Sequence, residues 1–248
     1  MTTIRASVQY VEVEGIRVRY QVMGSGEPLV LVHGLSASSL WWIRNVQDLA
    51  QQYRLYLVDL PGFGAMHYPR GRFVLERAAS WLLAWMEAIG LGRAHFIGHS
   101  MGGCICLRVA ALCPDVVSRL ILVSPAILAR SRTVWGYVVP LLSSARHLTP
   151  HFFVILLFDA LRCGPVTLLR AAGDIAAQDM HDEIKAVVAP TLLVWGENDP
   201  LVPLTLGHIV REEMPHADFL LLKRAGHVGM FDQPAAFNAA ALEFLKGE

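Results

Sequence analysis

Charge is scarce in this chain of 248 residues: charged residues make up 17% of it, and hydrophobic residues make up 54%. Its 21 basic and 21 acidic residues cancel, and Lys and Arg form no run or stripe along the sequence. Proteins that bind nucleic acid or an anionic membrane surface concentrate positive charge on one face or segment. The composition therefore predicts no nucleic-acid partner, and it favours a small molecule.

Long apolar runs and paired cysteines are also missing. No segment reaches the roughly 18 consecutive apolar residues of a membrane span, and the N-terminus holds no apolar run of signal-peptide length. We therefore expect a cytoplasmic chain without a transmembrane segment. The four cysteines form neither a C-x-x-C pair nor a metal-ligand spacing, so we expect buried, reduced thiols and no metal or cofactor.

What the chain does contain is an alternation of strand and helix patterns, at a length that suits one domain. Two alternating stretches around Glu14-Gly15 predict an antiparallel hairpin. Largely apolar runs, typical of strands covered on both faces, occupy residues 29–32, 55–58, 120–123, 191–195 and 219–222, and residues 94–97, which include His95, look like a further short buried strand. The pattern predicts a mostly parallel, twisted α/β sheet of about eight strands, flanked by helices, with ligands at the carboxyl ends of the strands.

The alternation lapses between residues 125 and 189, where helical patterns cover 134–142, 151–161 and 166–177. We interpret 125–189 as an all-helical cap inserted into a core domain formed by 1–124 and 190–248. The cap is rich in Leu, Val and Phe, which favours an apolar pocket beneath it. An exposed apolar surface on the cap would instead contact lipid or form a homodimer with a second chain, and the sequence does not separate these alternatives. Helices that only cover a sheet would need an apolar face too. The arginines of this segment are Arg130, Arg132, Arg146, Arg162 and Arg170.

Ser100 lies at the centre of a G-x-S-x-G motif that follows a predicted strand and opens a predicted helix. A turn this tight forces the serine into a strained backbone conformation and leaves little room two positions away, which explains Gly98 and Gly102. Such a turn lifts the hydroxyl clear of the sheet at a helix N-terminus, where negative charge is favoured. The motif therefore predicts a nucleophilic serine.

Two further strand ends carry residues that could activate this serine. Glu197 and Asp199 follow the run 191–195, and His227 follows the run 219–222. An alcohol needs a base that titrates near pH 7, which histidine supplies, and the imidazole needs a carboxylate to orient it. The chain order serine, carboxylate, histidine is the order such a sheet requires. The residue types alone leave both Glu197 and Asp199 open as the carboxylate.

With these residues, the chain resembles the α/β-hydrolase superfamily over essentially its whole length. The motifs that carry the resemblance are His33-Gly34 with Trp42 downstream, Asp59-Leu60-Pro61-Gly62-Phe63-Gly64, Gly98-His99-Ser100-Met101-Gly102-Gly103, Gly196-Glu197-Asn198-Asp199-Pro200 and Gly226-His227. The resemblance implies Ser100 as nucleophile, His227 as base and Asp199 as the residue that orients it. It also implies an oxyanion hole formed by the backbone N–H groups of Leu35 and Met101.

Several other polar residues receive structural roles. The resemblance implies that His33 shapes the loop that presents the Leu35 N–H, and Asp59 is interpreted as a turn residue. His67, His95 and His99 have no partner that the sequence identifies, so packing or solvation is expected for them.

A serine nucleophile predicts acyl transfer from an ester, thioester or lactone through an acyl-enzyme. Small carboxylesterases and monoacylglycerol-lipase-like enzymes resemble the chain most, which implies a carboxylic ester with an apolar acyl or aryl group as substrate. Two alternatives on the same triad are hydrolysis of a carbon–carbon bond in a dienoate and hydrolysis of a lactone. An alternative of another class is a ligand receptor on a hydrolase scaffold. The sequence does not identify the substrate-binding residues.

Overall fold

A computed structural model describes residues 3–66, 74–127 and 150–247. Its strands form one sheet of eight, in the order β1-β2-β4-β3-β5-β6-β7-β8. They are β1 (Ser7–Val13), β2 (Ile16–Met23), β3 (Glu27–Val32), β4 (Tyr53–Val58), β5 (Ala94–His99), β6 (Val117–Val123), β7 (Thr191–Gly196) and β8 (Asp218–Leu222). β2 pairs antiparallel with β1 and β4, and the other pairs are parallel. The predicted fold class and the N-terminal hairpin are confirmed.

Alternate residues of the central strands face two separate hydrophobic cores. In β3, Val30 and Val32 belong to one core, and Leu29 and Leu31 belong to the other. Each of these four side chains is at most 1% exposed. Strands buried on both faces need continuous apolar runs, which is why these runs predicted them.

The strand order reverses next to β3, because β4 lies on one side of it and β5 on the other. Connections that leave the two neighbouring strands β3 and β5 therefore run to opposite sides and open a crevice at the carboxyl ends of the strands. The loop that begins at His33 follows β3, and Ser100 follows β5. The topology thus brings two of the predicted site segments together.

Helices flank the sheet. They are α1 (Val46–Leu49), α2 (Leu75–Ala88), α3 (Met101–Leu112), α4 (Pro150–Cys163), α5 (Pro165–Ala176), α6 (His181–Ala186), α7 (Leu204–Glu213), α8 (Gly229–Asp232) and α9 (Pro234–Lys246). The sequence pattern did not indicate the short helices α6 and α8. The apolar residues Trp41, Trp42, Val46 and Leu49 are spaced as in a single helix, but they form a 3₁₀ turn at Ser39–Trp42 followed by α1. The interruption includes buried Asn45, whose amide donates to the Met230 carbonyl 2.9 Å away, so tertiary contacts override the helical pattern.

We refer to α4 and α5 as the cap helices, since they lie in the segment predicted to be a cap. The predicted helix 134–142, His67 and three of the arginines, Arg130, Arg132 and Arg146, lie outside the described residues. The division into core and cap stays a prediction.

The cap helices expose several large apolar side chains. These are Phe153, Val154, Leu157, Phe158 and Leu161 on α4, and Val166 and Leu169 on α5. Within the described residues, no single helix is long and apolar enough to cross a membrane, but α4 and α5, bent by 98°, meet that criterion as a pair by length and composition. A homodimer through this surface stays a prediction.

The four cysteines are free. Cys104, Cys106 and Cys163 are buried, as expected, whereas Cys113 is partly exposed. Burial raises the pKa of Cys104 to about 12 and that of Cys163 to about 11. These thiols stay protonated at neutral pH and are poor nucleophiles.

Candidate active site

Ser100 occupies the turn between β5 and α3 with φ 52° and ψ −115°. A residue other than glycine in this sparsely populated region stores roughly 1–3 kcal/mol of strain, so the surroundings must hold it. Its N–H donates to the Val123 carbonyl at 2.9 Å, and its own carbonyl accepts from Cys104 at 3.2 Å and Ala126 at 3.3 Å. The strained conformation expected from the motif is therefore present and anchored.

The glycines around Ser100 are required by close backbone packing. A Cβ atom on Gly98 would lie 2.5 Å from the Gly102 carbonyl oxygen, and one on Gly102 would collide with the carbonyl oxygens of Val32 and His33. The end of β3 thus packs directly against the start of α3. No larger residue fits at either glycine without displacing the turn.

Three side chains from different strand ends meet at this turn. His227 Nε2 lies 3.0 Å from Ser100 Oγ, and His227 Nδ1 lies 2.8 Å from Asp199 Oδ2. The second carboxylate oxygen of Asp199 accepts from the N–H groups of Leu201 and Val202, each at 2.9 Å. These are the distances that a nucleophile, a base and the residue that orients the base need.

The charge on Asp199 fixes the proton positions. Burial acts to raise the pKa of Asp199, but the attraction and hydrogen bond of His227, with the Val202 N–H, outweigh it and hold the pKa below its usual value. Ionised Asp199 only accepts hydrogen bonds, so His227 donates from Nδ1. The unprotonated Nε2 of a neutral imidazole is then free to accept the Ser100 hydroxyl proton.

Glu197, the alternative carboxylate, has another partner. Its Oε2 accepts from the backbone N–H of Arg224 at 2.9 Å, on an exposed part of the surface. Arg224 adopts a left-handed conformation with φ 59°, and this hydrogen bond supports that turn. The structure thus brings Asp199, and not Glu197, to His227.

The two N–H groups predicted to form an oxyanion hole lie on either side of this turn. Met101 is the first residue of α3, and Leu35 follows Gly34, where an added Cβ would lie 3.2 Å from Ser100 Cβ. Among the described residues, neither N–H donates to a protein acceptor. A helix N-terminus with unpaired N–H groups favours negative charge at this point.

His33 supports the same loop from beneath. Its Nε2 accepts from the Leu60 N–H at 3.0 Å, so the proton lies on Nδ1, which donates to the Gly34 carbonyl at 2.8 Å. Burial lowers the pKa of His33, and it stays neutral. Asp59 accepts from the Ser39 N–H at 2.7 Å. Both residues hold the backbone of the loop, in agreement with the structural roles expected for them.

His99 contacts the site although the sequence indicated no partner for it. Its Nε2 donates to the carbonyl of His227 at 2.9 Å, and the two ring centres lie 4.9 Å apart. Burial and the neighbouring His227 lower the pKa of His99 to about 3. A neutral His99 therefore holds the backbone of His227. In the sequence, only the position of His99 next to Ser100 in the motif indicated that His99 could contact the site.

His95 has a different partner. It is buried and lies 3.1 Å from the Glu27 carboxylate at the opposite, amino-terminal ends of β3 and β5. It takes no part in the site.

The cap helices contribute two side chains that sequence reasoning missed. The ring of Phe152 lies 4.8 Å from that of Trp41 and 4.6 Å from that of Phe231. Asp159 Oδ2 accepts from Ser38 Oγ at 2.8 Å and from Trp41 Nε1 at 3.1 Å. The contacts with Ser38 and Trp41 join segments more than a hundred residues apart, which local patterns do not reveal.

In the three described ranges, no three His, Cys, Asp or Glu side chains are grouped so as to hold a metal ion. The side-chain groups that meet at the site are the Ser100 hydroxyl, the His227 imidazole and the Asp199 carboxylate.

Family models match most of the chain. Residues 27–142 match a model described as the alpha/beta hydrolase fold, and residues 171–247 match a model described as a TAP-like protein.

Named relatives align with nearly the full chain. One is the dihydrolipoyllysine-residue acetyltransferase component of the acetoin cleaving system of Pseudomonas putida, 30% identical over 96% of this chain and 69% of the relative. A pimeloyl-[acyl-carrier protein] methyl ester esterase of Aeromonas salmonicida is 28% identical over 89% of this chain and 96% of the relative. A 2-hydroxy-6-oxo-6-phenylhexa-2,4-dienoate hydrolase of Burkholderia cepacia is 28% identical over 92% and 91%.

Proposed function

The chain belongs to the α/β-hydrolase superfamily, and from that premise we propose that it is a serine hydrolase that cleaves a carboxylic ester through an acyl-enzyme. The observation that supports this proposal most directly is the line of contacts from Ser100 to His227 at 3.0 Å and from His227 to Asp199 at 2.8 Å. Acyl transfer requires this order of groups.

In the proposed mechanism, Ser100 Oγ attacks the ester carbonyl while His227 Nε2 takes the hydroxyl proton. Asp199 stabilises the imidazolium that forms, and the N–H groups of Leu35 and Met101 stabilise the oxyanion. His227 then gives its proton to the departing alcohol, which leaves an acyl-enzyme. Water attacks that intermediate with His227 again as base, and Ser100 is regenerated.

An apolar acyl or aryl group is the proposed recognition element. The aromatic rings of Trp41, Phe152 and Phe231 pack together where cap helix α4 meets the core, and Trp41 lies 5.6 Å from the His99 ring beside the triad. An apolar lining with few polar groups is typical of small-molecule sites. The name of the Aeromonas salmonicida relative specifies a methyl ester, which supports an ester as the substrate.

The test is turnover of p-nitrophenyl esters of increasing chain length by the wild type and by Ser100→Ala. The variant should lose roughly 10⁴- to 10⁶-fold in kcat, because only binding and the oxyanion hole remain. A fluorophosphonate should label the wild type once per chain and not label the variant. Ser80→Ala, at an exposed serine on α2, serves as the matched control and should behave as wild type. Labelling of Ser100→Ala at another residue would contradict the assignment of the nucleophile.

Hydrolysis of a carbon–carbon bond is the second candidate, because the Burkholderia cepacia relative is named as a dienoate hydrolase. The same triad can act on a ketone carbonyl after the dienoate is protonated. A dienoate and a lactone tested beside the esters separate these activities by kcat/KM. A ligand receptor would release at most one equivalent of p-nitrophenol per chain.

The acceptor of the acyl group is a separate question, since the name of the Pseudomonas putida relative describes acetyl transfer. We propose water as the acceptor. Addition of a dithiol should leave the rate of acid formation unchanged, and a thioester product would instead indicate an acyltransferase.

A further inference from the structure

The segment 33–42, which we call the oxyanion loop, leads from β3 past Leu35 to Trp41 and Trp42. Ser36, directly after Leu35, has φ 55°. A left-handed conformation at a residue other than glycine persists only where its surroundings hold it. The contacts that hold this loop therefore decide where the Leu35 N–H lies.

The core holds the loop at two points already described. Leu60 donates its N–H to His33 Nε2 at 3.0 Å, and Asp59 accepts from the Ser39 N–H at 2.7 Å. Leu60 and Asp59 follow directly after β4 and are buried. This side of the loop is thus attached to the segment that leaves the neighbouring strand of the sheet.

The cap holds the loop at adjacent positions. Asp159, in α4 and 1% exposed, accepts from Ser38 Oγ at 2.8 Å and from Trp41 Nε1 at 3.1 Å. Ser38 and Ser39 are therefore held by two carboxylates that approach from different elements, Asp159 from the cap and Asp59 from the core.

This attachment is costly for the fold. Asp159 Oδ1 is buried and has no hydrogen-bond partner among the residues that the structure describes. A buried carboxylate that is incompletely paired lowers stability, because desolvation outweighs the bonds that remain. Asp159 therefore contributes its two hydrogen bonds to the loop, and it does not add stability to the fold.

On the basis of the proposed function, we propose that Asp159 is a positioning residue that ties cap helix α4 to the oxyanion loop and so sets the place of the Leu35 N–H relative to Ser100. Nothing in this role requires Asp159 to touch the substrate. Displacement of the loop weakens the contact with the oxyanion more than it weakens substrate binding, because the charge develops only in the transition state. Loss of the tie should therefore lower kcat and leave KM nearly unchanged.

The experiment compares Asp159→Ala with Asp159→Asn on p-nitrophenyl butyrate. The alanine variant should lose about 10- to 100-fold in kcat with KM within about threefold, as expected for a donor displaced by a fraction of an ångström. Its affinity for a trifluoromethyl ketone, which forms an oxyanion on Ser100, should fall by the same factor. The asparagine variant should stay within about threefold of wild type, because its amide oxygen still accepts from Ser38 and Trp41.

Asp174→Ala is the matched control. Asp174 lies on cap helix α5 and also has a buried carboxylate oxygen without a partner, but no bond joins its side chain to the oxyanion loop within the described residues. It should match the wild type in kcat and in inhibitor affinity. If Asp159→Ala does not fold, Ser38→Ala and Trp41→Phe remove the two donors one at a time and should each show a smaller loss in kcat.

Two results separate failure of this inference from failure of the proposed function. If the wild type hydrolyses the ester and Asp159→Ala keeps its kcat and inhibitor affinity, the inference is wrong, even where the melting temperature falls. If the wild type turns over no ester, the proposed function is wrong. The rate of fluorophosphonate labelling, which needs only Ser100, its base and the oxyanion hole, then tests Asp159 by itself: a tenfold slower rate supports the role and an unchanged rate refutes it.

Discussion

Asp199, just after β7, and Asp159, on helix α4, are both buried, with 6% and 1% of their surfaces exposed, yet their pKa values move in opposite directions. Burial acts to raise the pKa of both. For Asp199, a chargeable His227 and two backbone N–H donors outweigh burial. Asp159 has two neutral donors on a single oxygen and Asp59 nearby, and its pKa rises to about 6. The partners of a buried carboxylate, more than its depth, thus decide whether it is charged.

The most severe way to break this comparison is to remove the charge from the core carboxylate. Asp199→Asn should keep the fold but lower kcat by about 10³- to 10⁴-fold, because the imidazolium loses its partner and the wrong tautomer is permitted. Glu197→Gln should cost less than about tenfold, since Glu197 holds only the Arg224 turn. Steady-state kinetics with a melting curve for each variant make the measurement. If Glu197→Gln were nearly inactive and Asp199→Asn active, the carboxylate would have been placed on the wrong residue.

His99 sharpens the comparison, because it shows a buried group kept neutral inside the core. His99→Phe removes the N–H that donates to the His227 carbonyl. It should lower kcat by roughly tenfold, because one hydrogen bond between neutral groups is worth about that factor. Since the pKa of His99 is about 3, it does not titrate where the triad works, so the acid limb of kcat/KM should report one proton in wild type and variant alike. His95→Phe, at a buried histidine far from the site, is the control. A limb that required two protons in the wild type and one in His99→Phe would contradict the neutral role.

The smallest expected effect concerns the stability of the cap carboxylate. The pKa of Asp159 is higher in the folded chain than the ordinary value of 3.8, so the folded state binds the proton more tightly and the ionised carboxylate destabilises it at neutral pH. This destabilisation should be complete above about pH 6 and vanish as the pH falls towards 4. At pH 8, Asp159→Asn should therefore unfold at a higher urea concentration than the wild type, with a free energy of unfolding roughly 1 kcal/mol larger once solvent screening is included. At pH 4 the free energies of unfolding of the two proteins should be equal.

The charged groups that also influence this titration are Asp59, which raises the pKa of Asp159, and Arg162, which lowers it. Cys163 keeps its proton over this range, because burial raises its pKa to about 11. A stability difference between wild type and Asp159→Asn that stayed constant from pH 4 to pH 8 would contradict the assigned pKa.

The sheet was predictable because its inner strands are buried on both faces and therefore need apolar side chains at successive positions. Residues 29–32 are an example. The meeting of Ser100, Asp199 and His227 was predictable because parallel strands place their carboxyl ends at one edge. Contacts without such a rule were not predictable. In the sequence, Asp159 is a single acidic residue within an apolar helical pattern. Its hydrogen bonds to Ser38 and Trp41 span 121 and 118 residues.

The break in the helix after Trp42 has the same origin. Asn45 has an ordinary place in a helical pattern, but its amide donates to Met230 and to Asn238 at 2.8 Å. These acceptors lie 185 and 193 residues further along the chain, so no local propensity encodes them. Tertiary hydrogen bonds decide the conformation where propensity is weak.

The bond between Ser100 and His227 joins residues 127 positions apart, with the whole cap segment between them. During synthesis, Ser100, its glycine turn and the strands around it therefore leave the ribosome long before His227 does. During that interval the growing polypeptide carries Ser100 without His227, the base that the proposed mechanism needs to deprotonate it.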